Sequence, residues 1–311
     1  MLFRSWTIHT IFETPAAYAD NVCFAPHDID GDGDIDFAIG TDWQPNNTDS
    51  GGVVGWLESP PNPRDRWTFH RVLEPEPTVH RMRWGDFDGD GKFELIVAPL
   101  KGPKSKGPKF EDIPVRLSMF QPVGNPRKDA WKNQPIDVPF FVMHNIELIP
   151  RKDDKGVDIV TASFQGVHIL SRGSGSGKLS IQRIGSGHEG EAPAKGSSEI
   201  RIGRFAQGKR FAATIEPWHG NEVVIYEEPE SAEDAGGLWT RKVLDDQLRW
   251  GHAVVCANLD EDPEEELAIG VRDDATPYRC GVRIYDRQSD GSWLRSLVEP
   301  GQVAEIGRAH V

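Results

Sequence analysis

Cysteine is scarce: Cys23, Cys256 and Cys280 are the only three in a chain of 311 residues. Their wide spacing gives neither a disulfide framework nor a zinc pattern. Basic charge is in deficit, with 35 Lys and Arg against 49 Asp and Glu and a net charge of −14. A general nucleic-acid or anionic-membrane binder carries the opposite footprint, so no nucleic-acid partner is expected. No apolar run approaches the roughly 18 residues of a membrane-spanning helix, and no membrane span is expected. Helical periodicity is missing as well: no stretch of about 11 residues or more repeats its apolar positions every 3.6 residues.

The chain has instead 32 Gly, 23 Pro and 10 Trp, with 37% hydrophobic residues. That apolar content suffices for a sizeable core. The length allows two average domains or one large all-β domain. An internal repeat, the first thing to look for in such a chain, decides between them.

Turn-like segments start at positions 28, 86, 150, 204 and 258, at steps of 58, 64, 54 and 54. Asp28-Ile-Asp-Gly-Asp-Gly-Asp-Ile-Asp and Asp86-Phe-Asp-Gly-Asp-Gly-Lys-Phe-Glu are the fullest copies. Around each turn the same order recurs. A short apolar strand precedes it, a second follows, and a third lies beyond (Gly52 to Leu57, Val115 to Phe120, Gly166 to Leu170, Glu222 to Tyr226, Gly281 to Tyr285). A fourth is often led by Trp, as at Trp67, Trp239 and Trp293. Short β-branched or aromatic runs between Gly/Pro/Asp turns are strand signals. Four strands in about 50 residues is the arithmetic of a β-propeller blade.

The fold class predicted is therefore all-β, a β-propeller of four-stranded blades with five complete blades. The blades fall at roughly 20–75, 78–138, 142–184, 196–246 and 250–300, within a single domain spanning 6–304. Trp6 to Phe12 resembles a fourth strand without its blade, and Gln302-Val-Ala-Glu a first strand cut short. Stray ends favour a fragment of a seven-bladed ring, with a closed five-bladed ring as the alternative. Residues 1–5 and 305–311 read as translated adapter sequence rather than native ends.

The acidic turns have a physical logic. Carboxylates at alternate positions of a tight loop converge on one point, and glycines let the backbone curl. Oxygen donors at that density suit Ca²⁺. The candidate ligands are Asp28, Asp30, Asp32 and Asp36 in the first loop and Asp86, Asp88, Asp90 and Glu94 in the second. In the third they are Asn258, Asp260, Asp262 and Glu266, where Pro263 takes a glycine's place and, with its fixed φ, weakens the case. These ions would brace blades rather than perform chemistry. Calcium loops also favour an extracytoplasmic setting, secreted or periplasmic, where millimolar calcium fills weak sites.

Six residues before each turn stand Val22, His80, His144, Ser198 and His252. Three of five are histidine in a chain with only 10. The slot is where each blade's innermost strand begins, at the mouth of the central channel, so the ring would bring these side chains together. Converging imidazoles suit Zn²⁺ or another divalent transition metal, or general acid–base work. The bland reading is a polar lining around water. The loops after each second strand add Trp43, Lys101, Gln165, Trp218, His219, Asn221 and Arg272 on the same face. His, cations, aromatics and carboxylates together are the chemistry of a sugar site. His188 is a candidate to replace the histidine missing beside Ser198, while His9, His70, His27 and His168 read as structural.

The acidic turns resemble FG-GAP or VCBS repeats. The chain as a whole resembles the β-propeller domain family of aldos-2-ulose dehydratase and related propeller-type sugar lyases. The residues that carry this likeness are His80-Arg-Met-Arg-Trp-Gly-Asp-Phe-Asp-Gly-Asp-Gly, Ala98-Pro-Leu-Lys-Gly, Glu216-Pro-Trp-His-Gly-Asn-Glu and Gly251-His with Gly270-Val-Arg. The resemblance implies a seven-bladed ring, metal-assisted elimination on a sugar or sugar acid, and further blades or domains in a longer parent. On that reading His80 or His144 is the base. His219 and His252 hold a metal, Lys101 or Arg272 receives enolate charge, and Trp43, Gln165, Trp218 and Asn221 bind substrate. The alternative is a non-catalytic, calcium-braced propeller that binds a glycan or protein partner, since such blades serve many functions.

Overall fold

The computed structural model describes residues 7–13, 15, 20–151, 155–173, 177–231, 237–271 and 281–300. They fold into five antiparallel four-stranded sheets, each a simple meander in chain order. The first blade holds β1 (Cys23–His27), β2 (Asp36–Thr41), β3 (Val53–Glu58) and β4 (Thr68–Leu73). The second holds β5 (Val79–Gly85), β6 (Glu94–Pro99), β7 (Ser118–Gln121) and β8 (Lys132–Pro135). The third holds β9 (Asn145–Pro150), β10 (Val157–Ser163), β11 (Gly166–Arg172) and β12 (Leu179–Gly185). The fourth holds β13 (Ile200–Arg204), β14 (Arg210–Glu216), β15 (Glu222–Glu227) and β16 (Thr240–Asp245). The fifth holds β17 (Gly251–Ala257), β18 (Glu266–Val271), β19 (Gly281–Arg287) and β20 (Trp293–Pro300). This is the all-β propeller architecture expected from the repeat.

Burial explains the strand order. Every residue of β6 is buried, because both faces of a middle strand meet neighbouring blades. The outermost β4 is exposed or half-buried throughout. The apolar cores lie between blades. Trp56 with Met82 and Val97 joins the first to the second, and Ile96 with Ile146 and Leu170 the second to the third. Val160 with Ile200 and Tyr226 continues to the fourth, and Ile215 with Val254 and Ile269 to the fifth. Inner strands pack in the order β1, β5, β9, β13, β17, and among the described residues no comparable packing joins β17 back to β1.

Each inner strand is entered through the same backbone device. Asp20 (φ 61°), Thr78 (φ 57°), Val142 (φ 48°), Gly196 (φ 69°) and Trp250 (φ 56°) all adopt left-handed conformations. Each stands two residues before its blade's slot residue, Val22, His80, His144, Ser198 or His252. A β-branched or bulky residue in that region is strained, and Thr78, Val142 and Trp250 hold it in register with Asp20 and Gly196, so the conformation is a constraint of the architecture. His80 and His252 are moreover the extra residues of β-bulges, between Val79 and Arg81 and between Gly251 and Ala253. A bulge re-aims its side chain off the sheet, here into the channel mouth.

Two details depart from the sequence reading. Residues 7–13 form no strand. They lie along the outer edge of the first blade, where the Ile11 carbonyl accepts from Trp67 N (2.8 Å) and Phe12 stacks on Phe69. His9 is therefore not on a fourth strand. The third strand of the second blade begins at Ser118, not at Val115. Trp6, residues 302–305 and the proposed non-native ends lie outside the described residues.

Candidate active site at the channel mouth

Four histidines from four blades meet at the mouth of the channel. Ring centroids are 4.7 Å apart for His80 and His144, 4.5 Å for His144 and His219, 5.4 Å for His144 and His252, and 4.7 Å for His219 and His252. His144 Nε2 lies 2.7 Å from His219 Nε2. His144, His219 and His252 each offer a ring nitrogen, and the three nitrogens lie within 4.8 Å of one another. Burial, with the neighbouring His144 ring next in weight, depresses the His252 pKa to about 2. That ring is neutral, which is the form a metal ligand requires.

His219 reaches the cluster from the loop after β14. It holds φ +52°, a left-handed conformation that a histidine adopts at a cost. Two anchors hold that loop. Glu216, fully buried, accepts from Ser197 Oγ (2.8 Å), Tyr226 OH (2.7 Å) and Arg241 Nη2 (2.7 Å). Gly220 turns so close to the Glu216 carbonyl that a Cβ there would stand 2.4 Å from it. Trp218 stacks face to face on His219 (4.3 Å, 11°) and meets His144 edge-on.

His80 is held apart from the metal-type triad. Its Nδ1 lies 2.9 Å from the His144 carbonyl, which accepts the ring proton, and Arg81 Nη1 faces Nε2 at 3.1 Å. Trp43 lies against the same ring at 5.0 Å. His144, named above with His80 as a candidate base, lies in the group of three whose nitrogens converge.

Glu199, which the sequence analysis missed, supports this site. It is buried, with Oε1 3.0 Å from His144 Nδ1 and 3.5 Å from Arg81 Nη2, and with Asn145 Nδ2 donating to Oε2. A carboxylate behind a histidine is the usual outer partner of a metal ligand, fixing ring orientation and raising basicity. One signal was available: the residue after each slot is Arg81, Asn145 and Glu199 in the three middle blades.

The other expected members of the cup have the following partners. Lys101 Nζ donates to the Pro45 carbonyl (2.6 Å) and Asn46 Oδ1 (2.9 Å) and lies over the Phe110 ring, and burial lowers its pKa to about 8. Gln165 uses its side-chain carbonyl to accept from Phe141 N. Asn221 is exposed and donates to the Asp246 carbonyl. His188 faces Glu222 (3.5 Å) and is not part of the cluster. Arg272 lies outside the described residues.

At the opposite ends of the inner strands, the acidic turns form as expected in shape. Asp28, Asp30 and Asp32 converge, as do Asp86, Asp88, Asp90 and Glu94. Gly31, Gly33, Gly89 and Gly91 have φ between 74° and 97°, so the curl depends on glycine. Asp36 is not in the first group. Its carboxylate is buried and accepts from Ile29 N and Ser59 N. Asp30 is ion-paired with Arg127. In the third loop the converging group is Asp260, Asp262 and Asp286, the last from β19 and not foreseen. Asn258 donates to the Asp262 carbonyl, and Glu266 accepts from Leu259 N.

A family model for the aldos-2-ulose dehydratase β-propeller domain matches residues 51–229. The chain belongs to this family. The matched span carries His80, His144, Glu199, Trp218 and His219. Aldos-2-ulose dehydratase of Phanerodontia chrysosporium is 26% identical over 264 residues. The alignment covers 80% of this chain and 28% of that protein, so the chain spans just over a quarter of the length of the curated relative it matches. A solved protein of unknown function from Dyadobacter fermentans DSM 18053 superposes with a TM-score of 0.55 at 13% identity, covering 93% of this chain and 85% of that one. That likeness concerns the fold.

Proposed function

We propose that the channel mouth binds a divalent transition metal through His144, His219 and His252 and performs β-elimination on a sugar or sugar acid. The observation that carries this reading is the mutual approach of three imidazole nitrogens within 4.8 Å. Glu199 behind His144 and the neutral state of His252 fit the same donor set. The family relative named for a dehydratase supports the reaction class. Zinc is the metal that three imidazoles favour.

When bound, the metal supplies Lewis acidity for charge that develops on a substrate oxygen. The chain's own residues do the rest. His80, whose ring lies 4.7 Å from that of His144, supplies a basic nitrogen, Nε2, that is not one of the three ligand atoms. Arg81 covers it, and an incoming carboxylate or carbonyl would draw that guanidinium onto itself. His80 then takes the proton α to the carbonyl, and the electron pair passes to the enolate. Collapse of the enolate forms the C=C bond and expels the β-oxygen, which leaves with a proton as water or alcohol. Trp43 and Trp218 wall the cup and limit water. We also assign Ca²⁺ to the two glycine-curled acidic loops, where it would brace the blades.

Elemental analysis of the purified chain tests the metal. One equivalent of transition metal is expected, lost in His252→Ala and bound about 10- to 100-fold more weakly in Glu199→Gln. Calcium alone, with no transition metal after reconstitution, would overturn the reading and leave a calcium-braced binding propeller. The reaction itself is read as an unsaturated product by NMR.

A further inference from the structure

Deeper than the histidines, the inner strands of the three middle blades carry charge. One and three places after the slot stand Arg81 and Arg83 on β5, Asn145 and Glu147 on β9, and Glu199 and Arg201 at β13. Alternate residues of a strand share a face. The six therefore make two tiers, the second about 7 Å along the strands from the first. Met82, between the two arginines of β5, points the other way, into the core shared by the first two blades. The first tier satisfies itself: Arg81 Nη2 and Asn145 Nδ2 both face the Glu199 carboxylate.

The second tier does not. Arg83 Nη1 donates to the Met82 carbonyl (2.8 Å) and Arg201 Nη1 to the Ile200 carbonyl (2.6 Å), each a neighbour in its own strand. That leaves most of the five donors of each guanidinium for other acceptors. Both side chains are half-buried, so neither is sealed off. They come from the second and fourth blades, and with the third between them they sense each other across the channel in front of β9. Burial, followed by the fields of Arg201 and Arg81, pulls the Arg83 pKa down to about 10. Glu147 lies in the field of both arginines, yet its Oε2 accepts from Ile202 N (2.6 Å), and burial pushes its pKa up to about 7. It is therefore an incomplete counter-charge at neutral pH. Glu265, which also acts on Glu147, accepts from Arg204 N (2.9 Å). A cation drawn out of water without a full counter-charge carries a desolvation cost that a bound anion offsets.

We propose that Arg83 and Arg201 clamp a small oxyanion in the channel beneath the histidine cluster. A guanidinium presents paired donors that match the oxygens of a carboxylate, sulfate or phosphate. The anion would link the second blade to the fourth across the channel. The tier of Arg81, Asn145 and Glu199 separates it from the histidine nitrogens, so the proposal stands whether or not those nitrogens hold a metal. The same chemistry is offered by the carboxylate of a sugar acid and by a free inorganic anion.

Isothermal titration calorimetry of the full chain in chloride-free buffer tests the clamp and separates the two sources, with sodium sulfate and sodium D-glucuronate as probes. At least one is expected to bind at a single site, with affinity reduced about tenfold or more in Arg83→Gln and in Arg201→Gln. Affinity is expected to be kept in His252→Ala and raised in Glu147→Gln, which removes the competing carboxylate at nearly constant shape. Glu147→Gln carries the test should the arginine variants fail to fold. Binding of neither anion overturns the proposal. So does binding that survives either arginine substitution, that is lost in His252→Ala, or that does not strengthen in Glu147→Gln.

Discussion

At the scale of single residues, the molecule puts histidine to two opposite uses. At the channel mouth the rings face one another and a carboxylate; in the third blade, His168 is buried against the Phe140 ring with Arg183 across the strand pair. Burial, followed by the positive field of Arg183, lowers the His168 pKa from 6.5 to about 4, against an opposing backbone hydrogen bond to Gly166. Above about pH 6.5 the ring is neutral folded or unfolded and adds no pH dependence. Between pH 6.5 and 4 the unfolded chain takes a proton that the folded chain refuses, so stability falls with falling pH. The slope is at most about 1.4 kcal/mol per pH unit, or roughly 3 kcal/mol across the window. Chemical denaturation of the parent and of His168→Phe at several pH values checks this. The difference in stability between them is expected to shift toward the variant as pH drops. Parallel curves would show that His168 is not the buried neutral group described.

At the scale of elements, the shared left-handed entry explains how unrelated side chains come to one point. Thr78, Val142 and Trp250 hold conformations that suit glycine, the residue used at the same place in the fourth blade. Trp250 is 47% exposed, so its side chain contributes little packing to offset the strain. Trp250→Gly is expected to raise stability by about 1 kcal/mol, whereas Trp250→Ala, which keeps a Cβ at positive φ, is expected to bring no gain. Denaturant midpoints of the two variants decide it, and equal midpoints would contradict the strain. Much of this layer was legible in the sequence. The turn spacing located all five blades, and counting back from the turns picked out His80, His144 and His252, because a repeat carries register with it. What was not legible depends on contacts between blades. Glu199 matters through His144, which lies 55 positions earlier on the neighbouring blade. Asp286 joins the third acidic loop only because β19 runs beside β18. Lys101 and Asn221 sit on the expected loops, but their bonds, to the Pro45 carbonyl and Asn46 Oδ1 and to the Asp246 carbonyl, are set by neighbours that the repeat does not reveal. A loop position fixes a side chain's neighbourhood and leaves its direction to local partners.

At the scale of the whole molecule, the two kinds of site are divided between the ends of the inner strands. In the first, second and fifth blades the inner strand runs from its slot residue to an acidic turn over about six residues, or roughly 20 Å at strand rise. Fifteen of the 49 acidic residues lie in the turns 28–36, 86–94 and 258–266, and setting them aside leaves 34 against 35 basic residues. The net charge is thus concentrated at one pole, while the four histidines gather at the other. At that separation, charges exposed to solvent are largely screened at physiological salt, and blade packing between the poles is rigid. The two proposed metal sites should therefore be independent. Asp88→Asn, which alters a turn carboxylate that accepts from Asp90 N, is expected to reduce the rise in melting temperature on adding calcium. It should leave a cobalt titration of the histidine cluster, followed by visible absorption, unchanged. His252→Ala is expected to do the reverse, losing the cobalt signal and keeping the calcium shift. If either variant abolished both responses, the ends would be coupled, and the assignment of bracing to one pole and chemistry to the other would fail.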